Sequence, residues 1–285
     1  MNHTDILTDL KKGKYAPVYF LHGEEPYYID LISDYIENNI LSDSERSFNL
    51  TILYGKDVDH KTVIDNARRF PMMATNQVVI LKEAQSMKSL QDLNIYIENP
   101  LHSTLLVICH KHKKLDKRTK FAKVVQRNAV VLESKRPYDN QMPKWVSSYL
   151  KELGYEIKPL ESNLIAEYLG NNLSKVANEL DKLAINLPSG HTITKDDIQE
   201  HIGISKDYNI FELQDAIGSR NQSKCYRIVK YFQSNPRNHP LVVVIGTLYS
   251  FFAKIYMMHF LRHAPEREIQ KTLGLSSGYF IKDYK

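Results

Sequence analysis

Five short apolar runs punctuate the first 140 residues, with stretches of helical spacing between them, and this alternation limits the fold more than any other feature. Val18-Tyr19-Phe20-Leu21, Phe48 to Leu53, Val78-Val79-Ile80-Leu81, Leu105-Leu106-Val107-Ile108 and Ala129-Val130-Val131-Leu132 read as strands. Tyr27 to Ile40 and Lys61 to Phe70 read as helices between them. Strands that alternate with helices need right-handed crossovers, which give a parallel sheet covered on both faces. Residues 1–140 are therefore expected to form an α/β domain.

The pattern changes after Pro137 and Pro143, which bracket an expected hinge. From Lys144 to about Lys206 no convincing strand is visible. Asn178 to Leu183 reads as helix, and Thr194-Lys195-Asp196-Asp197 opens another behind a good N-cap. Residues 141–208 are expected to be a small helical domain and 209–285 a second helical domain. The latter contains an apolar stretch, Leu241 to Leu261, interrupted by Lys254 and His259. At about 20 residues it is long enough to be mistaken for a membrane span, but a buried bundle helix is the expected reading. A chain of 285 residues, 42% hydrophobic and 25% charged, can fill two or three such cores. Two cysteines in different expected domains, Cys109 and Cys225, suggest no disulfide framework and fit a reducing cytosol. Met1 to Lys12 lacks the apolar core of a signal peptide.

The net charge of +5 is unevenly placed. Phe211 to Lys285 holds eleven Lys and Arg against five Asp and Glu, leaving 27 bases and 28 acids elsewhere. A basic C-terminal third could face nucleic acid, or simply be a solvated helical surface. The run Lys111, Lys113, Lys114, Lys117, Arg118, Lys120 and Lys123 carries the same two readings, with a solvated helix face favoured.

An α/β domain followed by a small helical one is the layout of the AAA+ ATPases, so the phosphate site is the test. A P-loop needs glycines, a Lys and a Ser or Thr. The turn after the first strand is His22-Gly23-Glu24-Glu25-Pro26-Tyr27-Tyr28, with one glycine and none of the others. Its carboxylates would repel phosphate. They are better placed to cap the following helix. The third strand ends Leu81-Lys82-Glu83, with Lys82 where a metal-binding Asp would sit. The nucleotide site reads as degenerate. His110-Lys111-His112 lacks converging partners for a metal and reads as surface. No Gly-x-Ser-x-Gly elbow is present.

Arg69-Phe70-Pro71-Met72-Met73-Ala74-Thr75 remains. Spacing alone favours both methionines plugging the adjoining core. The alternative exposes one or both, and flexible, polarizable Met suits a protein-binding surface.

Four segments together resemble the delta subunits of bacterial DNA polymerase III clamp loaders: Pro17 to Tyr27, Phe70 to Ala84, Asn178 to Leu183, and Asn209 to Ile217. The resemblance covers essentially the whole chain. It implies a P-loop NTPase-like AAA+ domain at 1–140 without a cofactor, an all-α lid at 141–208, and an all-α collar at 209–285. It also implies that the chain has no catalytic site of its own, although the holoenzyme is a DNA-directed DNA polymerase, a nucleotidyltransferase. In the family, two adjacent apolar residues at a helix tip enter a pocket on the beta sliding clamp. Those positions match Met72 and Met73, flanked by Phe70 and Pro71; bulkier pairs are common there, so this pair departs slightly. The implied partners are the clamp, the delta-prime and tau/gamma subunits, and primer-template DNA, in the cytoplasm and with no membrane. Family members usually continue past this C-terminus, which leaves a shortened collar open. Two other readings stay open: an active P-loop-type NTPase with an atypical phosphate loop, and a stand-alone DNA-binding protein.

Overall fold

The computed structural model describes residues 1–203, 208–261, 264–275, 281 and 284. The chain forms two compact units, 1–136 and 137–285.

The first unit runs α1 (His3–Lys11), β1 (Val18–Gly23), α2 (Tyr27–Asn39), α3 (Asp43–Asn49), β2 (Leu50–Tyr54), α4 (His60–Ala67), β3 (Gln77–Lys82), α5 (Asn94–Ile97), β4 (Thr104–Lys111), α6 (Lys120–Asn128) and β5 (Val130–Ser134). The five strands form one sheet in the order β2-β3-β4-β1-β5, with every pair parallel. The apolar runs are continuous because both faces are covered. Alternate residues serve opposite layers. Val18, Phe20, Val79, Leu81, Leu106 and Ile108 pack against Val63 and Ala67 of α4, Tyr96 and Ile97 of α5, and Phe121 and Val125 of α6. Tyr19, Leu21, Val78, Ile80, Leu105 and Val107 pack against Ile6 and Leu10 of α1 and Ile29, Ile32 and Ile36 of α2. Each such side chain contributes roughly 1.5–3 kcal/mol when fully buried. The α/β expectation holds. Its second strand starts later than expected, because Phe48 and Asn49 close α3 instead of opening β2.

The second unit contains α7 (Met142–Glu152), β6 (Glu156–Ile157), α8 (Pro159–Leu169), α9 (Leu173–Asn186), β7 (Thr192–Ile193), α10 (Lys195–His201), α11 (Ile210–Gly218), α12 (Gln222–Ser234), α13 (Leu241–Phe260) and α14 (Glu266–Leu273). The expected absence of strands fails: β6 and β7 pair in parallel. Two residues each are too few to carry a two-residue period, so sequence spacing could not reveal them. The helix over 178–183 lies inside α9, and Thr194 caps α10 by accepting from the Asp197 amide at 3.3 Å. Residues 204–207, just before the expected boundary at 208/209, fall outside the described residues.

The larger correction concerns α13. It was expected to be a buried bundle helix, yet only Phe251 and Met258 of its twenty residues are buried. Val244 and Leu248 pack on Leu213, Ala216, Ile228 and Phe232, and Met258 packs on Ile269, Leu273 and Ile281. Leu241, Val242, Ile245, Tyr249, Tyr256 and Phe260 remain exposed. The helix is apolar all round, but its neighbours cover only one stripe. By length and composition it could cross a membrane.

Candidate functional site

In open α/β sheets ligands bind outside the carboxyl ends of the strands, so the turn after β1 is the first place to look. That turn is closed by the chain itself. His22 is buried, and its Nδ1 accepts from the Leu115 amide at 3.2 Å. Burial pulls its pKa down to about 4, against the raising effect of Glu133. The next residue, Gly23, has φ +144°, and a Cβ there would stand 1.9 Å from the Ser134 carbonyl oxygen. Only glycine allows β1 and the end of β5 to approach this closely. Ser134 Oγ donates to the Glu25 carbonyl at 2.6 Å, and the Glu25 amide donates to the Ser134 carbonyl at 3.4 Å.

Glu25 is 1% exposed, and its carboxylate accepts from the Tyr27 amide at 3.0 Å. The first amides of a helix, aligned with its dipole, are where a phosphate would bind. Here an internal carboxylate takes that position on α2, as the expected capping role requires. Glu24 points outward and pairs with Lys114 at 3.2 Å.

The place expected for a metal is also filled by opposite charge. Lys82 reaches Glu37 at 2.9 Å and Asp34 at 4.0 Å, and Lys111 reaches Asp30 at 2.6 Å and Glu83 at 3.7 Å. Burial opposes the charge on Lys82, but the Glu37 hydrogen bond and the surrounding carboxylates hold its pKa above the ordinary value. Among the described residues no three His, Cys, Asp or Glu side chains converge to hold a metal. The surface reading of His110 is overturned. It is buried, its ring lies 6.0 Å from that of Phe20, and its Nδ1 meets the Lys113 carbonyl at 3.2 Å. A ring that packs and hydrogen-bonds inward leaves no periodic signal at a strand end.

The basic run is not one helix face, since only Lys120 and Lys123 lie on α6. Much of it is neutralised: Lys111 and Lys114 as above, Lys117 by Glu133 at 3.0 Å, and Arg118 by Asp116 at 2.8 Å. The second unit holds a cavity of about 1240 Å³, lined by Asp139, Glu167 and Asp215 as well as Lys195 and Lys254. That mixture singles out no ligand charge.

The segment after α4 behaves in the opposite way. The helix was expected to reach Phe70 but ends at Ala67. The Asn66 carbonyl near its end is taken by the Arg69 amide at 3.3 Å and by the buried Gln77 side chain at 2.9 Å. Pro71 then disfavours helix at Phe70. Phe70 is 77% exposed, Met72 59% and Met73 fully exposed, so the core reading of the methionines is overturned. Met73 has φ +53°, a left-handed conformation uncommon outside glycine. The backbone of Met72 is held by Asn49, which accepts from its amide at 2.6 Å and donates to its carbonyl at 2.9 Å. Sequence reasoning missed Asn49. A single amide between a helix and a strand gives no sign of a partner 23 residues away.

Residues 19–135 match the family model described as DNA polymerase III, delta subunit. The DNA polymerase III subunit delta of Bacillus subtilis is 26% identical over 234 residues, covering 79% of this chain and 67% of that protein. The subunit delta of Haemophilus influenzae is 23% identical over 229 residues, covering 77% and 65%. The chain thus spans about two thirds of the length of these relatives. The solved structure of the Bacillus subtilis DNA clamp loader delta protein superimposes with a TM-score of 0.62 at 21% identity, covering 99% of this chain and 86% of that one. At that identity the likeness speaks for the fold, an α/β domain followed by helices. Over residues 19–135 and across the curated relatives, the chain is similar to the bacterial DNA polymerase III delta subunits.

Proposed function

We propose that this chain grips the beta sliding clamp as the delta subunit of a clamp loader, through Met72 and Met73 with Phe70 and Pro71 beside them. The observation that carries the reading is the exposed apolar tip, set on the α/β domain and held at Met72 by Asn49. Interface energy concentrates in a few side chains that fill partner pockets, and thioethers adapt well to such pockets. The closed turn at Gly23 supports a subunit that leaves nucleotide binding and hydrolysis to its partners.

In this reading the second unit divides into a lid (141–208) and a collar (209–285). The uncovered side of α13 meets other clamp-loader subunits, delta-prime and tau/gamma, instead of lipid. The basic surplus of the collar lies toward primer-template DNA, and the complex works in the cytoplasm.

The experiment is a binding titration of the chain against purified sliding clamp, with wild type and the Met72→Ala/Met73→Ala variant measured on matched preparations. Fully burying one Met is worth roughly 1.5–3 kcal/mol, so losing both should weaken binding by about two orders of magnitude or more. The melting temperature should stay close to that of wild type, because neither side chain is in the core. Unchanged clamp affinity in a folded double variant would sink the assignment.

A further inference from the structure

We infer that Asn49 is the positioning residue of the apolar tip: its buried amide fixes the Met72 backbone and so presents Met73, Met72 and Phe70 as a preorganised knob. This rests on the clamp-binding reading above and adds to it the residue that sets the knob's geometry.

The segment 68–76 belongs to no helix and pairs with no strand, so it has no hydrogen-bond ladder of its own. Asn49 supplies a substitute. It sits where α3 hands over to the sheet, and its side chain is 1% exposed. Its Oδ1 accepts from the Met72 amide at 2.6 Å, while its Nδ2 donates to the Met72 carbonyl at 2.9 Å and to the Glu45 carbonyl at 3.0 Å. One planar amide therefore reads both polar groups of a single residue, as a neighbouring strand would. The third bond anchors the same amide to the helix behind it. Both donors and the acceptor oxygen are used, a pattern that Asp, Leu or Ala cannot reproduce.

The next residue shows what the tie maintains. Met73 holds φ +53°, a left-handed conformation that is unfavourable for an L-residue and persists only where its surroundings impose it. A free loop would relax out of it and would lose conformational freedom again on docking. Ordering flexible groups at an interface costs conformational entropy, so releasing the tie should weaken binding by about tenfold with every contacting side chain still present.

The test uses Asn49→Leu and Asn49→Asp. The second keeps the acceptor for the Met72 amide and loses both donors. Hydrogen exchange at the Met72 amide reads the tie directly, without any partner. Titration against sliding clamp reads its consequence, and thermal melting checks the fold. In Asn49→Leu the Met72 amide should exchange at least about tenfold faster and clamp affinity should fall about tenfold. Asn49→Asp should fall between this variant and wild type. Repeating Asn49→Leu on a Met73→Ala background should shrink the loss, since positioning matters only while there is a side chain to position. Released exchange with unchanged clamp affinity would overturn the inference and leave the clamp reading standing, and so would an equal loss on the Met73→Ala background. A wild-type chain with a protected Met72 amide that ignores the clamp would overturn the clamp reading itself, and the positioning role with it. Should Asn49→Leu not fold, Asn49→Asp carries the same comparison.

Discussion

Two turns of the first unit, scarcely 50 residues apart in sequence, are built on opposite plans. The turn at 22–26 is sealed: His22 and Glu25 are buried, Gly23 lies against Ser134, and the capping carboxylate is the chain's own. The turn at 70–73 is open: Phe70, Met72 and Met73 face solvent, and one amide holds the backbone between them. Polar groups are inside at the first turn and apolar groups outside at the second. Buried polar groups are tolerated only when hydrogen-bonded, so the first turn is specified by its internal partners. Exposed apolar groups have no internal partner, so the second gains nothing for the fold from its side chains. The contrast is between a turn sealed by its own side chains and a turn whose apolar side chains face solvent.

The largest effect should follow the smallest chemical change. In Gly23→Ala the new methyl would overlap the Ser134 carbonyl and force an unfavourable φ. A loss of at least about 3 kcal/mol of stability, or failure to fold, is expected from such a clash. Urea unfolding measures it. A near-neutral Gly23→Ala would break the comparison, because the sealed turn would then be no more constrained than the tip, where truncating both methionines should barely move the melting temperature.

A smaller effect is expected from pH. The folded-state pKa of His22 lies at about 4, well below its ordinary value of 6.5. Between those values the unfolded chain binds more protons than the folded one, so stability is fully present above pH 6.5 and is lost as pH falls toward 4. The shift corresponds to about 3 kcal/mol by linkage. Burial also lowers the pKa of His110, which acts in the same direction. Denaturation of wild type and His22→Gln at pH 7.5 and 4.5 checks the assignment, and the pH dependence should be shallower in the variant. Equal slopes would show that the turn is not closed around a neutral imidazole.

The smallest expected effect is none. Titrating Mg²⁺ and ATP into the chain should give no specific heat, because Glu25 accepts from the first amide of α2 and Lys82, paired with Glu37, stands where a metal-binding Asp was expected. Micromolar, Mg²⁺-dependent binding would mean that the turn can open, and would erase its contrast with the tip.

The amino-acid sequence by itself determined the sheet and its two covers. Apolar runs such as Val78 to Leu81 can be continuous only when both faces are buried, and that is a property of the residues alone. It also determined what the turn at Gly23 lacks, since a missing Lys and Ser or Thr need no coordinates to be seen. Three matters were decided only by tertiary structure. Spacing favoured a buried Met72 and Met73, yet both face solvent, because α4 stops at Ala67 and the chain leaves the layer there. Composition favoured a buried α13, yet its neighbours cover one stripe, because hydrophobicity records the preference of a surface for cover and not whether the rest of the chain supplies it. Asn49 left no trace at all: a hydrogen bond between residues 23 apart has no period, and only the folded backbone brings its two ends together.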